Sequence, residues 1–327
     1  MCLLIGNREG HVLKKDLICF KQIVGNDSEG YKTPCQGWPV TLDSTLEPDE
    51  KSPVIEKCGF KYQIGAGVIH AYLKVQTDED NYYKAIIPAG TRFWIQDDLQ
   101  QVAAEKLILT SEKVKGNPKS DLTELLVSAA EVCMKDGVRK SITESPNPKD
   151  VIGIYTSTGK IVSINLHTEY TKFSENKLTG YPTEKTFTKY EDASKDMDGQ
   201  GNTNTLEKTC KGSKLLAIEK LKEGEYLPSL GELKEAFIEL EAINLTREYL
   251  GLELIPFAWF WSSSVRDEES IWVCHSDGGC YWDDWYDYSW DFHYVRPFLS
   301  SSLENKDENL LSRICKTAKL WLKHIKN

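Results

Sequence analysis

Paired cysteines, membrane-length apolar runs and clustered basic residues are all missing from this chain of 327 residues. Its nine Cys stand at positions 2, 19, 35, 58, 133, 210, 274, 280 and 315, with no Cys-x-x-Cys pair and no Cys/His spacing of the zinc type. An odd number at irregular intervals makes a poor disulfide framework, and a reducing compartment is expected. No apolar run approaches the roughly 20 residues that span a bilayer, so no membrane role is expected. The opening, Met1 to Glu9, is too short and too early charged to read as a secretory signal, which points to cytoplasmic synthesis without one. A formal net charge of -10, with no Lys/Arg cluster among the aromatics, disfavours nucleic acid and anionic membranes as partners. No Ser/His/Asp set or phosphate loop is present. Asp196, Asp198 and Gly199 fall short of the Asp-x-Asp-x-Asp-Gly spacing of a calcium loop. No catalytic residue, no metal and no cofactor is therefore expected.

What the chain does have is concentrated between Tyr281 and Tyr294. Aromatic rings and acids alternate there at a density found nowhere else in the sequence. Tyr and Trp give large contact areas with few rotors to freeze, and Asp, Ser and His supply adaptable hydrogen bonds. Several carboxylates in one short span also argue against a core, where unpaired charges are costly. The candidate ligand-binding residues are Trp282, Asp283, Asp284, Trp285, Tyr286, Asp287, Tyr288, Trp290, Asp291 and His293. From Tyr286 to Tyr294 the even positions are all aromatic and the odd ones polar, which is also the period of a half-buried strand. Asp283, Asp284, Asp287 and Asp291 read as ligand-facing or solvated acids rather than a calcium site.

The length suggests more than one domain. Residues 1–145 read as a β-rich module. Two β-prone pieces flank Pro88-Ala89-Gly90, a further strand candidate lies at 67–73, and a terminal helix is expected over 121–135 behind an Asp cap. The polar stretch 141–150, with Pro146 and Pro148, marks the boundary. Beyond it, 151–155 and 161–164 read as strands. Leu215, Ile218 and Leu221 have helical spacing, and Ser229-Leu230-Gly231-Glu232 is a capping box ahead of a face made by Leu233, Phe237, Leu240 and Ile243. Residues 302–327 carry an amphipathic pattern with acids first and bases last. That helix could dock on the chain's own core or serve oligomerisation.

Several motifs between 150 and 300 stand in a recognisable order: Asp198-Gly199 with Asn202-Thr203, Tyr226 to Leu233, Trp261-Ser262-Ser263-Ser264, Trp272, Asp277-Gly278-Gly279 and Val295-Arg296-Pro297-Phe298. Together they resemble the prokaryotic C-type lectin-like fold of formylglycine-generating enzymes and of variable proteins of diversity-generating retroelements, the gut-bacterial and phage members of the latter above all. The resemblance implies an α+β domain of two helices and a twisted antiparallel sheet over 146–301. It implies a variable segment at about 265–294 that contacts a protein or cell-surface ligand, as an adhesion module or a phage virion component. In such systems adenine-directed diversification turns Asn codons into Tyr, Asp, Ser, His or Phe, the types that fill 281–294 apart from its three Trp. The enzymatic alternative is a thiol oxidase of the formylglycine-generating type using Cys274 and Cys280, although their spacing is one residue longer than that pattern. A structural phage component is the other alternative.

Overall fold

The structure, a computed structural model, describes residues 3–34, 37–49, 52–75, 81–175, 180–284, 293–295 and 297–300. The chain forms two compact units, each gathered from separated stretches. The first holds the described residues up to Ala129, together with Ala236–Phe257 and His275–Cys280. The second holds Ala130–Glu235, Ala258–Cys274 and the described residues from Tyr281 on.

The first unit is built on an eight-stranded antiparallel sheet. Its order is His11–Val12, Arg92–Ile95, Gln101–Ala104, Ile69–Tyr72, Leu17–Gln22, Tyr82–Ile87, Leu107–Lys113 and Ser44–Leu46. Alternation fixes which side chains enter the core. Tyr83, Ala85 and Ile87 join Leu17, Cys19, Ala71 and Leu109 on one face. Arg92–Ile95 is buried on both faces, because Phe93 and Ile95 enter that core while Trp94 packs with Leu3, Ile5 and Ile64 of a small second sheet. Pro88-Ala89-Gly90 does not close a hairpin. It connects Tyr82–Ile87 to Arg92–Ile95, and three strands separate the two in the sheet order.

One buried ion pair gathers this unit. Lys61 Nζ lies 2.6 Å from Asp97 Oδ2, and neither side chain has any exposed surface. The other oxygen, Asp97 Oδ1, accepts from the Gly6 amide at 3.0 Å. The Asp97 carbonyl accepts from Asn244 Nδ2 at 2.9 Å, and Asn244 Oδ1 accepts in turn from the Ile255 amide. Asp97 sits in a tight turn where Gln96 bonds Gln101 and the buried Leu99 takes a left-handed conformation (φ 57). Gly6 cannot be anything larger without a shift, since a Cβ there would stand 2.1 Å from the Ile238 carbonyl oxygen.

The second unit carries two further sheets. One runs Arg139–Lys140, Val132–Met134, Val151–Tyr155, Ile161–Ser163, Phe298–Leu299 and Glu225–Tyr226. The other runs His167–Thr171, His293–Val295, Trp259–Val265, Ser270–His275 and Cys280–Asp284, and includes the parallel pair Phe260–Tyr294. Phe173, Leu206, Ala217, Leu227, Trp261, Ile271 and Val273 form its main core.

This arrangement corrects the expected α+β C-type lectin-like architecture of two helices and one twisted antiparallel sheet. Of the described residues 35% are strand and 19% helix, and the strands are spread over several sheets in both units. Helix comes in short pieces. Residues 215–221, which read as one helix, hold only the turn Leu216–Glu219 before the chain enters Glu225–Tyr226. The capping box does open a helix, Leu230–Ile238, but it breaks at Glu239 before Leu240–Tyr249. The helix expected over 121–135 is also replaced. Asp121 Oδ1 accepts from the Thr123 amide at 3.0 Å, but only the 3-10 turn Thr123–Ser128 follows, with Leu122 at its N-cap, and Val132–Met134 becomes a fully buried strand. Pairing of Val132 with Ile154 and Lys140 decides that segment over its local helical spacing. The helix expected over 302–327 lies outside the described residues. Among the described residues no helix is long and apolar enough to cross a membrane.

Lys61→Met strands the Asp97 carboxylate in the interior, so it is expected to lower unfolding free energy by about 3–5 kcal/mol in urea titrations. Burial pushes Asp97 up to about 6, against the opposing pull of Lys61 and the Gly6 amide. Because the folded value lies above the ordinary 3.8, the native state binds the extra proton between the two values. This residue therefore makes stability fall as pH rises through that window. Asp97→Asn is expected to remove that component from the measured slope of stability against pH.

Candidate recognition face

Most of the motifs singled out in the sequence of the second unit turn out to hold its interior together. Trp261 is buried, donates Nε1 to the Thr171 carbonyl at 2.7 Å and packs edge-on against Phe173. Ser262 Oγ donates to the Trp272 carbonyl at 2.6 Å. Ser264 Oγ donates to Asp196 Oδ2 at 2.7 Å and accepts from the Leu230 amide at 2.9 Å. Asp196 Oδ2 also accepts from Asn202 Nδ2. In the capping box, the Ser229 amide donates to Glu232 Oε2 at 3.0 Å and the Glu232 amide donates to Ser229 Oγ at 3.4 Å. Burial pushes the Glu232 carboxyl up, and Lys160 Nζ at 2.6 Å pulls the other way. Tyr226 Oη donates to the same carboxylate at 3.1 Å. Most of these buried polar atoms answer another, as the cost of leaving one unpaired requires, and Asn202 Oδ1 is the exception among those named.

On this frame the strand Cys280–Asp284 forms the edge of the five-stranded sheet among the described residues. The next strands inward, Trp259–Val265 and Ser270–His275, are almost wholly buried, whereas the edge exposes Tyr281 by 37% and Trp282 by 46%. Both rings are held in place. Tyr281 meets Trp259 edge-on, with centroids 4.3 Å apart at 79°. The Arg266 guanidinium lies 4.0 Å from the Trp282 ring centroid, a cation–π contact worth about 0.5–1 kcal/mol at an exposed site. Arg266 is itself fixed by Asp267 at 2.9 Å and Ser270 Oγ at 3.3 Å. Burial pushes the Asp267 carboxyl up, but hydrogen bonds from Ser270 and the Glu269 amide, with Arg266 beside it, outweigh this and hold it below the usual value.

Strand alternation assigns Tyr281 and Asp283 to one side of the edge and Trp282 and Asp284 to the other. Tyr281 Oη donates to Asp283 Oδ2 at 3.1 Å, consistent with that division. The edge therefore carries an anchored ring and a carboxylate on each side.

Of the sequence-predicted site residues, Trp282, Asp283 and Asp284 stand together on this edge. His293 lies in the strand His293–Val295. Trp285, Tyr286, Asp287, Tyr288, Trp290 and Asp291 lie outside the described residues. Trp259 and Arg266 were missed. Arg266 had a visible signal, being the only Lys or Arg between 265 and 295, but nothing in the sequence placed it over Trp282. Cys274 is buried within its strand and Cys280 is half-buried. Among the described residues no three His, Cys, Asp or Glu side chains group as a metal site.

No protein-family model matches the chain, and no curated protein matches it. A solved structure of a fimbrial protein from Bacteroides ovatus ATCC 8483 is similar to it, at 12% sequence identity and a TM-score of 0.37. The match covers 86% of this chain and 64% of that one, so the chain spans less than two thirds of its length.

Ser264→Ala removes the hydroxyl shared by Asp196 and the Leu230 amide. It is expected to cost about 1–3 kcal/mol in thermal or urea unfolding while the exposed edge keeps its near-ultraviolet circular dichroism.

Proposed function

We propose that this protein recognises a protein or cell-surface ligand without chemistry, through the aromatic and acidic edge at Cys280–Asp284. The observation that carries the proposal is the pair Tyr281 and Trp282: two large, exposed rings, each immobilised by a neighbour, beside Asp283 and Asp284. Large rings ordered before binding lose little entropy on contact, and buried aromatic anchors dominate the energetics of many interfaces. The carboxylates set orientation and charge preference. The edge carries two acids and one arginine, which favours a neutral or basic partner. The thiol-oxidase alternative draws less support, since Cys274 is enclosed in the strand Ser270–His275 and a nucleophilic thiol needs access and a stabilised thiolate.

The test uses the labelled full chain on a panel of intact bacterial and host cells, with binding read by flow cytometry. A cell type that binds the wild type is expected to lose most of that signal with Tyr281→Ala/Trp282→Ala, by a factor corresponding to about 2 kcal/mol or more. Cys274→Ser is expected to leave it unchanged. For a basic partner, association is expected to be faster at low salt. Undiminished binding by the double variant would overturn the proposal.

A further inference from the structure

The first unit contains a cavity of about 790 Å³ that the proposed recognition edge does not use. Its size falls within the roughly 300–1,000 Å³ typical of small-ligand sites. The cavity opens where the eight-stranded sheet parts. Leu17–Gln22 pairs with Tyr82–Ile87 along its whole length, yet among the described residues it meets Ile69–Tyr72 only at Tyr72–Phe20. Beyond that pair Lys21 Nζ donates to the His70 carbonyl at 2.5 Å. Val40, Leu46 and Val68 supply an apolar lining, and Pro34, Pro39 and Pro48 stiffen the wall by fixing φ. Gly67 holds the wall close, at φ +70, where a Cβ would stand 2.1 Å from the Ser52 carbonyl oxygen.

Trp38 lines this cavity and is 50% exposed. It is not loose. Its amide donates to Thr33 Oγ1 at 3.2 Å, its carbonyl accepts from the Thr33 amide at 2.9 Å, and Pro39–Val40 continues in a strand paired with Gly30–Lys32. An indole carried on a fixed backbone thus borders a cavity whose lining also includes the donors Lys21, Gln22 and Gln101 and the acceptors Glu47 and Asp49.

We infer that this cavity binds a short neutral saccharide, with a ring stacked on Trp38 and its hydroxyls shared among the polar side chains. Three properties of the lining select that chemistry. A hydroxyl both donates and accepts, so a polyol satisfies ammonium, amide and carboxylate groups in one space without introducing a net charge. The C–H face of a sugar ring presents apolar area to an indole. An anion would have to approach Asp49 and Glu47, the latter paired with Lys106 at 3.1 Å, with Lys21 the only cation among the described lining residues. An extended peptide fits less well, because peptide addition to a sheet relies on main-chain hydrogen bonds. The carbonyls here are already engaged: Gly65 by His70 Nε2, Ala66 by the Val54 amide and His70 by Lys21. The opposite edge of Ile69–Tyr72 is paired with Gln101–Ala104.

Isothermal titration of the full chain with short neutral gluco-, galacto-, manno- and xylo-oligosaccharides tests this, with oligogalacturonate and an unstructured peptide pool as comparators. At least one neutral series is expected to bind saturably at millimolar concentration or below. Trp38→Ala is expected to weaken it by roughly tenfold or more, and Trp38→Phe to restore part of the loss. Circular dichroism reports whether each variant is folded. Tyr281→Ala/Trp282→Ala is expected to leave saccharide binding untouched, so failure of this site and failure of the edge are distinguishable. Absence of binding across the neutral panel, equal binding by folded Trp38→Ala, or preference for the peptide pool or the anionic sugar would each overturn the inference.

Discussion

A carboxylate and an ammonium with no access to solvent are the constraint on which the first unit turns. Removing either charge from water is costly by several kcal/mol, and in the Lys61–Asp97 pair one carboxylate oxygen meets the ammonium while the other accepts from the Gly6 amide. Those partners come from Gly6, from a hairpin strand, from the turn after Arg92–Ile95 and, through the Asp97 backbone, from the helix bearing Asn244. An apolar contact tolerates small sliding, whereas a buried ion pair with fixed hydrogen bonds does not. The pair therefore sets the register in which four distant segments meet. It also makes completion of this unit wait for residues some 150 positions downstream, a non-local closure of the kind that slows folding (|i−j| = 147 for Asp97–Asn244).

The second unit solves the same problem with neutral and charged groups in a chain. Asp196, Ser264, Ser229 and Glu232 join the start of one helix to the central strand of a sheet. Because that strand is pinned from behind, the neighbouring strands have a fixed plane, and the edge at Cys280–Asp284 inherits it. Rigid rings at an edge follow from polar satisfaction in the interior. Trp259–Val265 links interior and edge, since its first residue touches Tyr281 and its serines are buried.

Local signals in the sequence were legible wherever one segment sufficed to express them. The alternation of Tyr83, Ala85 and Ile87, the strands at 151–155 and 161–163 and the capping box at Ser229 are all present in the structure. Leu233 and Phe237 are buried from that helix, while Leu240 and Ile243 are buried from the next one, Leu240–Tyr249. What failed depended on partners far away. Val132–Met134 is a strand only because Val151–Tyr155 lies beside it. The motif order that resembled a lectin-like fold specifies a polar frame, and a frame of hydrogen bonds does not determine how many strands surround it. Leu99 in a left-handed turn contradicts its own preference, and no sequence pattern announces it. At the proposed recognition edge, Trp282, Asp283 and Asp284 could be seen, while Trp259 and Arg266 could not, because cross-strand neighbours are set by register.

The acids at the exposed edge have a further consequence, for the behaviour of many copies in solution. A strand at the border of a sheet invites another molecule's strand to continue the ladder, and aromatic side chains strengthen that invitation. Asp283 and Asp284 in two approaching copies would be brought into like-charge proximity, on molecules that already carry -10 each. The carboxylates proposed to select a partner would thus also disfavour continuation of the ladder by a second copy of the chain.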